Sequence, residues 1–483
     1  MKRSLAWTAI GQLMLFVFQF GSQVVVSRIL TPFEVGVAAL GFSIADFVSA
    51  VQLFGLRNLL IREGELDREM IATTFTINIF MSVAASLVIA AIGIGGFFWF
   101  KQPAVTWVLL VVAINPLLGI FELVPNALLQ RAMQFRLIAG VSVGRAAAMA
   151  TVSVGCAYSG YSYMSIAYGS VAGATVSALL SVLIGWRFVS FGLSFARRRE
   201  VTRFGLHMLA IGGVNNVALK STDLIIGSML GIRTLGLFSR ASALYSVVWT
   251  NVHTVISRVL FSAMAAEKRT TGGIRVSYLR AVDLVTVCLW PAFSGLAVLA
   301  GPAVHLMYGE KWLEAAPVLA MFSLGAIGLT SITMTWEVFV VSERTSEQVK
   351  LETIRSVASM AATAIGCLFG TTAAAAGRVV DAAVSVVIYR RPLLRLTDTR
   401  FREILLIYRR NGLLALAANA PVLAVMGWFG WRADTSFAII LAAIALGVLL
   451  WAGGLLLVGH PLAKELSSVL AKRWNRWPMV GQA

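Results

Sequence analysis

Long apolar runs recur from one end of the chain to the other, broken by short polar segments rich in arginine. An α-helix needs about 20 apolar residues to cross roughly 30 Å of hydrocarbon. Fourteen such runs can be marked, at about 5–27, 36–56, 71–99, 104–125, 137–158, 163–186, 206–230, 236–257, 281–300, 317–341, 354–370, 372–389, 412–430 and 436–458. They are continuous rather than alternating in polarity, which argues for helices and against a barrel. Only a short Gly/Thr turn, in "GCLFGTTAAAAGRVV", divides the eleventh from the twelfth. The tail "HPLAKELSSVLAKRWNRWPMVGQA" has a different pattern. Leu462, Leu466, Val469 and Leu470 recur at helical spacing beside Lys464, Lys472, Arg473, Trp474 and Trp477. That predicts an amphipathic helix lying on the cytoplasmic interface.

Composition supports this reading: 58% of residues are hydrophobic, 13% are charged, and the mean hydropathy is +0.83. Such a chain is not a soluble domain. The net charge of +18 does not indicate nucleic-acid binding, because Lys and Arg enrich the cytoplasmic loops of membrane proteins. With a cytoplasmic N-terminus, the successive cytoplasmic segments hold 2, 3, 2, 5, 5, 3, 7 and 4 basic residues, 31 of the 40. The outer loops hold only Arg28, Lys101, Arg233, Lys311 and Arg432, and four more basic residues lie inside spans. This asymmetry predicts an even number of spans and cytoplasmic termini. The N-terminal apolar stretch is too long, and lacks the small-residue site, for a cleaved signal peptide. Cys156, Cys288 and Cys367 all fall in apolar runs without CxxC spacing. The four histidines are too dispersed for a metal site, so no metal is expected.

An internal repeat runs through the pattern. "SRILTPFEVGVAAL" joins the first and second spans as "GSMLGIRTLGLFSRA" joins the seventh and eighth, with Leu30 and Gly36 answering Leu230 and Gly236. "ELVPNALLQRAMQFRL" and "EVFVVSERTSEQVKL" follow the fourth and tenth spans. Six spans per repeat give two halves of parallel orientation, with the last two spans as an addition. These segments, with "LRNLLIREGELDREMIATTFTINI", "STDLIIGSMLGIRTLGLFSRASALY", "ISRVLFSAMA" and "MYGEKWLEAAPVL", resemble the multidrug/oligosaccharidyl-lipid/polysaccharide (MOP) exporter superfamily. More specifically, they are similar to its Wzx-type polysaccharide transporter branch, the colanic-acid and succinoglycan exporters.

The resemblance implies an all-α polytopic membrane protein with two pseudo-symmetric six-helix lobes plus two helices. The expected divisions are an N-lobe at 1–190, a basic linker at 191–205, a C-lobe at 206–390, a basic loop at 391–411, two helices at 412–458 and the tail at 459–483. It also implies a flippase of the bacterial inner membrane that moves undecaprenyl-diphosphate-linked oligosaccharide between leaflets, with a polymerase and a chain-length regulator of the same pathway as partners. Nucleic acid is not an expected partner, and no cofactor is expected beyond a coupling proton or sodium ion.

Seven ionisable residues stand well inside the expected spans, away from their cytoplasmic ends, where a charge costs roughly 2.5–3.5 kcal/mol on insertion scales. Lys220 and Asp223 are three residues apart, so they share a helix face and can neutralise each other; Arg378 and Asp381 repeat that spacing. Arg240, Asp46 and Arg145 complete the set, and Arg145 has no acidic neighbour at i±3 or i±4. On the flippase reading, Arg145, Arg240, Arg378 and Lys220 line a cationic cavity for the diphosphate-sugar headgroup. Asp46, Asp223 and Asp381 are the ion-coupling candidates. The competing reading of the paired residues is a staple between helices. Glu122 and Glu337 fall near cytoplasmic span ends and are assigned no ligand role. Pro116, Pro291 and Pro421 are expected to kink their spans. Two other functions compete: a cation-coupled multidrug antiporter, which calls for an acidic site, and a membrane polymerase, which calls for a large outer loop or catalytic domain. No nucleotide-binding motif is present, so an ion gradient, the membrane potential or the substrate gradient must supply the energy.

Overall fold

The computed structural model describes residues 2–52, 55–62, 67–99, 102–185 and 192–463. The amphipathic segment expected at the tail lies outside the described residues from 464 onward. Among the described residues there is no strand. The helices are α1 (Lys2–Ile29), α2 (Pro32–Gln52), α3 (Leu56–Arg62), α4 (Arg68–Trp99), α5 (Pro103–Val112), α6 (Ile114–Arg131), α7 (Phe135–Tyr158), α8 (Met164–Gly185) and α9 (Arg198–Met229). They continue with α10 (Ile232–Val248), a π-helical turn at Trp249–His253, α11 (Thr254–Thr271), α12 (Arg275–Val298), α13 (Ala300–Tyr308) and a 3-10 turn at Glu310–Ala315. The last are α14 (Ala316–Thr330), α15 (Thr335–Val341), α16 (Thr345–Cys367), α17 (Thr371–Thr397), α18 (Phe401–Trp428) and α19 (Phe437–Leu457).

Eleven described helical stretches are long and apolar enough to cross a membrane. At the three other expected positions stand α9, α10 with α11, and α16. The arrangement is compatible with fourteen spans. The main departure is at the eleventh: α16 begins at Thr345 rather than 354, so Glu352 lies within the helix and Arg355 stands well inside it instead of at the edge of the span.

The chain forms two compact units, Met1–Ser239 with Met307–Lys311, and Arg240–Leu306 with Trp312–Ala483. In the first unit, α2 and α10 cross with almost no side-chain separation. A Cβ on Gly36 would sit 1.9 Å from the Ile232 carbonyl oxygen, and one on Gly236 would sit 1.9 Å from that of Pro32. Gly36 answers Gly236, and Pro32 answers Ile232, at the 200-residue offset of the sequence repeat, so the contact is reciprocal. Glycine here allows backbones to touch where lipid supplies no hydrophobic force to join helices. The entry to α2 is a capping box in which the Thr31 amide and hydroxyl donate to Glu34 Oε2, at 2.7 and 2.8 Å. The exit of α1 is capped by Lys311, whose ammonium donates to the carbonyls of Arg28 and Ile29 at 2.8 and 3.0 Å. A cation at a helix C-terminus satisfies orphan carbonyls and complements the dipole.

In the second unit the tenth span is broken between α14 and α15, with Met334 in the left-handed region. Polar side chains meet the break: the Trp290 indole donates to Thr330 Oγ1 at 3.1 Å, and the Tyr408 hydroxyl donates to the Ser331 carbonyl. Irregular backbone at membrane depth persists only where such partners are buried with it. Pro291 lies inside α12 and cannot donate to the Val287 carbonyl one turn back. That carbonyl instead accepts the Trp451 indole N–H of α19, at 3.2 Å. The last two helices are tied on further by Asp283, which accepts from Arg410 (2.5 Å), Asn411 (2.9 Å) and the buried His460 (3.0 Å).

Replacing Gly36 or Gly236 by Ala drives a methyl group into backbone that has no rotamer to yield. Overpacking of this kind costs about 1–3 kcal/mol or more. Either variant is expected to unfold at lower temperature and to give less monodisperse protein in detergent. Gly21→Ala, whose added Cβ meets nothing within 4 Å, is expected to behave as wild type in the same melt.

Candidate functional site

The intramembrane charges are gathered into three clusters, two in the first unit and one in the second. In the first, the face shared by Lys220 and Asp223 on α9 is turned onto α2. Lys220 Nζ lies 2.7 Å from Asp46 Oδ2, and Asp223 Oδ2 accepts from Ser43 Oγ at 3.0 Å. The i,i+3 spacing thus serves to present both charges to the same neighbouring helix. Lys220 and Asp46 remain partly exposed, with side chains 34% and 50% accessible.

The second cluster joins α7 to α6. Arg145 has its acidic partner after all, on a different helix: its NH1 donates to Glu122 Oε2 at 3.3 Å. Because α6 runs on to Arg131, Glu122 stands more than two turns inside the helix rather than at a cytoplasmic end. Arg145 keeps 49% of its side-chain surface, whereas Glu122 keeps 16%.

The third cluster, between α16 and α17, is more completely closed. One nitrogen of Arg355 donates to both Asp381 oxygens, at 2.8 and 3.0 Å, while its other edge reaches Glu352 at 2.6 and 3.2 Å. The Tyr389 hydroxyl donates to Glu352 Oε2 at 2.8 Å. Asp381 is fully buried. Arg378 approaches it at only 3.5 Å, and its guanidinium lies 5.7 Å from the centre of the Phe322 ring. A planar guanidinium between two carboxylates is the geometry that charge-assisted hydrogen bonds favour, and few other arrangements tolerate two acids inside a membrane. Arg240, on α10, is buried and engaged by neighbouring groups.

The structure therefore brings Lys220 to Asp46, Asp223 to Ser43, and Arg378 to Asp381. It leaves Arg145 in a cluster of its own. Sequence reasoning missed Glu122, Glu352, Arg355 and Tyr389. With Glu122, Glu352 and Arg355 added to the seven candidates, the excess of positive charge disappears: five are cationic and five acidic. What distinguishes the cations is how far each is neutralised. Arg355 is saturated by two carboxylates, whereas Arg145 has one longer contact and an open flank. The missed signal was the placement of the loop before α16. A span drawn by hydropathy alone starts at 354, which cuts off Glu352 and leaves Arg355 at its very edge.

Comparison with known proteins places this arrangement. The chain belongs to the polysaccharide biosynthesis protein family, whose model matches residues 25–317. It is 25% identical to the succinoglycan biosynthesis transport protein ExoT of Rhizobium meliloti, over 100% of this chain and 98% of that one. It is 24% identical to the lipopolysaccharide biosynthesis protein WzxC of Escherichia coli, over 67% of this chain and 66% of the relative. Among solved structures, the lipid II flippase MurJ in an inward closed conformation superposes with a TM-score of 0.67, at 13% identity, over 97% of this chain and 99% of MurJ. An inward-facing MATE-family multidrug transporter of the MOP superfamily gives 0.63 at 14% identity, over 80% and 96%. The fold is that of the MOP superfamily, and the protein is a multi-pass membrane transporter rather than an enzyme.

Removing one member of a closed buried pair leaves an uncompensated charge, at a cost of about 3–5 kcal/mol. Asp381→Ala and Arg355→Ala are each expected to lower thermal stability sharply in detergent. The double variant is expected to recover part of the loss. Full additivity of the two would show that the pair does not carry the stabilisation.

Proposed function

We propose that the protein is a flippase for a lipid-linked oligosaccharide, moving repeat units carried on undecaprenyl diphosphate across the bacterial inner membrane for exopolysaccharide, capsule or O-antigen synthesis. The observation that carries this reading is a half-exposed guanidinium, Arg145, held inside a span by a single carboxylate. The polysaccharide biosynthesis family and relatives such as ExoT and WzxC support this substrate class. A diphosphate entering the membrane gives up the water around two negative charges. A guanidinium fork can replace that hydration with charge-assisted hydrogen bonds, worth roughly 1.5–3 kcal/mol each.

Lys220 in the first unit and Arg378 in the second, each about one-third exposed, are further cations able to meet a phosphate group, and Arg240 is buried within the second. Alternating exposure of the site to the two faces of the membrane completes transport, driven by a proton or sodium gradient or by removal of the product. Asp46 is the carboxylate most accessible to a coupling ion, with Asp223 one turn farther along the same helix contact. Asp381, enclosed by Arg355, serves the architecture on this reading. Both termini are cytoplasmic, and a polymerase and chain-length regulator receive the product on the outer side. A drug antiporter would need carboxylates free for organic cations. The acids named here instead meet cationic or hydroxyl partners: Asp46 meets Lys220, Glu122 meets Arg145, Glu352 and Asp381 meet Arg355, and Asp223 meets Ser43.

Deletion of the gene is expected to leave intact lipid-linked repeat units on the inner leaflet. Accumulation of unpolymerised units on the outer leaflet would instead identify a polymerase. Arg145→Gln, which removes one charge-assisted contact, should reduce translocation about ten- to a hundredfold at unchanged membrane abundance. Wild-type export by the combined Arg145→Ala, Arg240→Ala, Arg378→Ala variant would refute the cationic site.

A further inference from the structure

The two halves of the repeat carry the same arginine in opposite electrostatic states. The hairpin of α7 and α8 matches that of α16 and α17 in detail. Each is entered through a left-handed residue, Met133 or Glu343, and turned at a left-handed glycine, Gly160 or Gly370; both pairs are 210 residues apart. In this register Arg145 answers Arg355. The second helices are aligned by a shared close contact, in which Gly169 packs on the Ser153 hydroxyl as Gly377 packs on that of Thr363. Ser153 and Thr363 are again 210 apart, and the glycines 208. The same 208-residue offset superimposes Ala174 on Ala382 and Ser177 on Ser385, all of them buried.

That register identifies what surrounds each arginine. The positions of Glu352, Asp381 and Tyr389 in the second half are occupied in the first by Ser142, Gly173 and Ser181. Every group that closes the cluster around Arg355 is thus lacking around Arg145. The outcome is visible in exposure, with 17% of the Arg355 side chain accessible against 49% for Arg145. Gly173 packs directly on the arginine: a Cβ there would lie 3.0 Å from the Arg145 carbonyl oxygen and 3.5 Å from its Cγ.

We infer that, of the two repeat-related arginines, Arg145 and not Arg355 contacts the diphosphate, and that Gly173 and Ser142 are the positions that keep this guanidinium available to the phosphate groups of the substrate. Arg355 is its permanently neutralised counterpart, retained for packing. The inference rests on the proposed flippase function and adds which of two equivalent sites takes the diphosphate. Gly173 and Ser142 act through Arg145 and are positioning residues.

The test transplants the counter-charges of the second half into the first. Purified protein in nanodiscs is titrated with farnesyl diphosphate, a polyprenyl diphosphate without sugar. Gly173→Asp and, independently, Ser142→Glu are each expected to weaken binding tenfold or more, as Arg145→Gln does. Gly173→Ala controls for the added Cβ and is expected to stay within about threefold of wild type. The paired neutral exchange Arg355→Gln, Asp381→Asn is expected to leave binding unchanged. Ser142→Glu sits in a roomier position and decides the matter if Gly173→Asp does not fold. The inference is overturned if both transplants bind as wild type, if the Arg355/Asp381 exchange weakens binding as much as Arg145→Gln, or if wild-type protein does not bind the probe. The leaflet assay on the deletion strain judges the flippase reading separately, so the two can fail independently.

Discussion

A charged side chain inside a bilayer has to meet a partner within the protein or face a wet cavity, because lipid offers it neither charge nor hydrogen bond. Most of what is specific to this structure follows from that requirement. Asp46 and Lys220 hold α2 to α9, Glu122 and Arg145 hold α6 to α7, and Arg355 holds α16 to α17 through Asp381. Each pair bridges two helices that lipid would not otherwise drive together. The same pairs hold cations at membrane depth, where a site for an anionic headgroup needs them. On the proposed function, stability and recognition draw on the same residues, and the degree of neutralisation separates one role from the other. Arg355 lies at the saturated end of that range and Arg145 at the open end.

Close backbone approach is the second organising element. The reciprocal contact of Gly36 with Ile232 and of Gly236 with Pro32 brings the starts of α2 and α10 together across a local two-fold relationship. Polar side chains then stabilise the places where helices are not continuous. Trp290 and Tyr408 meet the break between α14 and α15, and Trp451 meets the carbonyl released by Pro291. These interactions concentrate in the second unit, which also carries the closed charge cluster. The first unit holds the more open arginine.

Much of the architecture was legible in the order of residues. Apolar length located a helix at every expected span, because the bilayer imposes one scale on all of them. The repeat at 200 residues, read from Leu30, Gly36, Leu230 and Gly236, marks the glycine crossing. The start of α16 was not legible in the same way. Hydropathy places the boundary at 354, but this helix carries Glu352 and Arg355 inward because Asp381 and Tyr389 are there to receive them. Glu122 is a related case. Hydropathy ends its span at 125, whereas α6 continues to Arg131 and presents Glu122 to Arg145 of α7.

The sequence by itself determined the class of protein, the positions of its helices, the internal repeat and the residue types available for an anionic ligand. Those properties depend on local composition and on periods along one chain. Only the tertiary structure decided the partners. Spacing of three residues put Lys220 beside Asp223 on one face, but that face meets Asp46 and Ser43 of another helix. Arg145 has no acidic residue within a turn of its own helix, yet Glu122 reaches it from α6. Ionic pairing inside a membrane is set by which helix surfaces are pressed together, and that depends on packing among segments far apart in the chain.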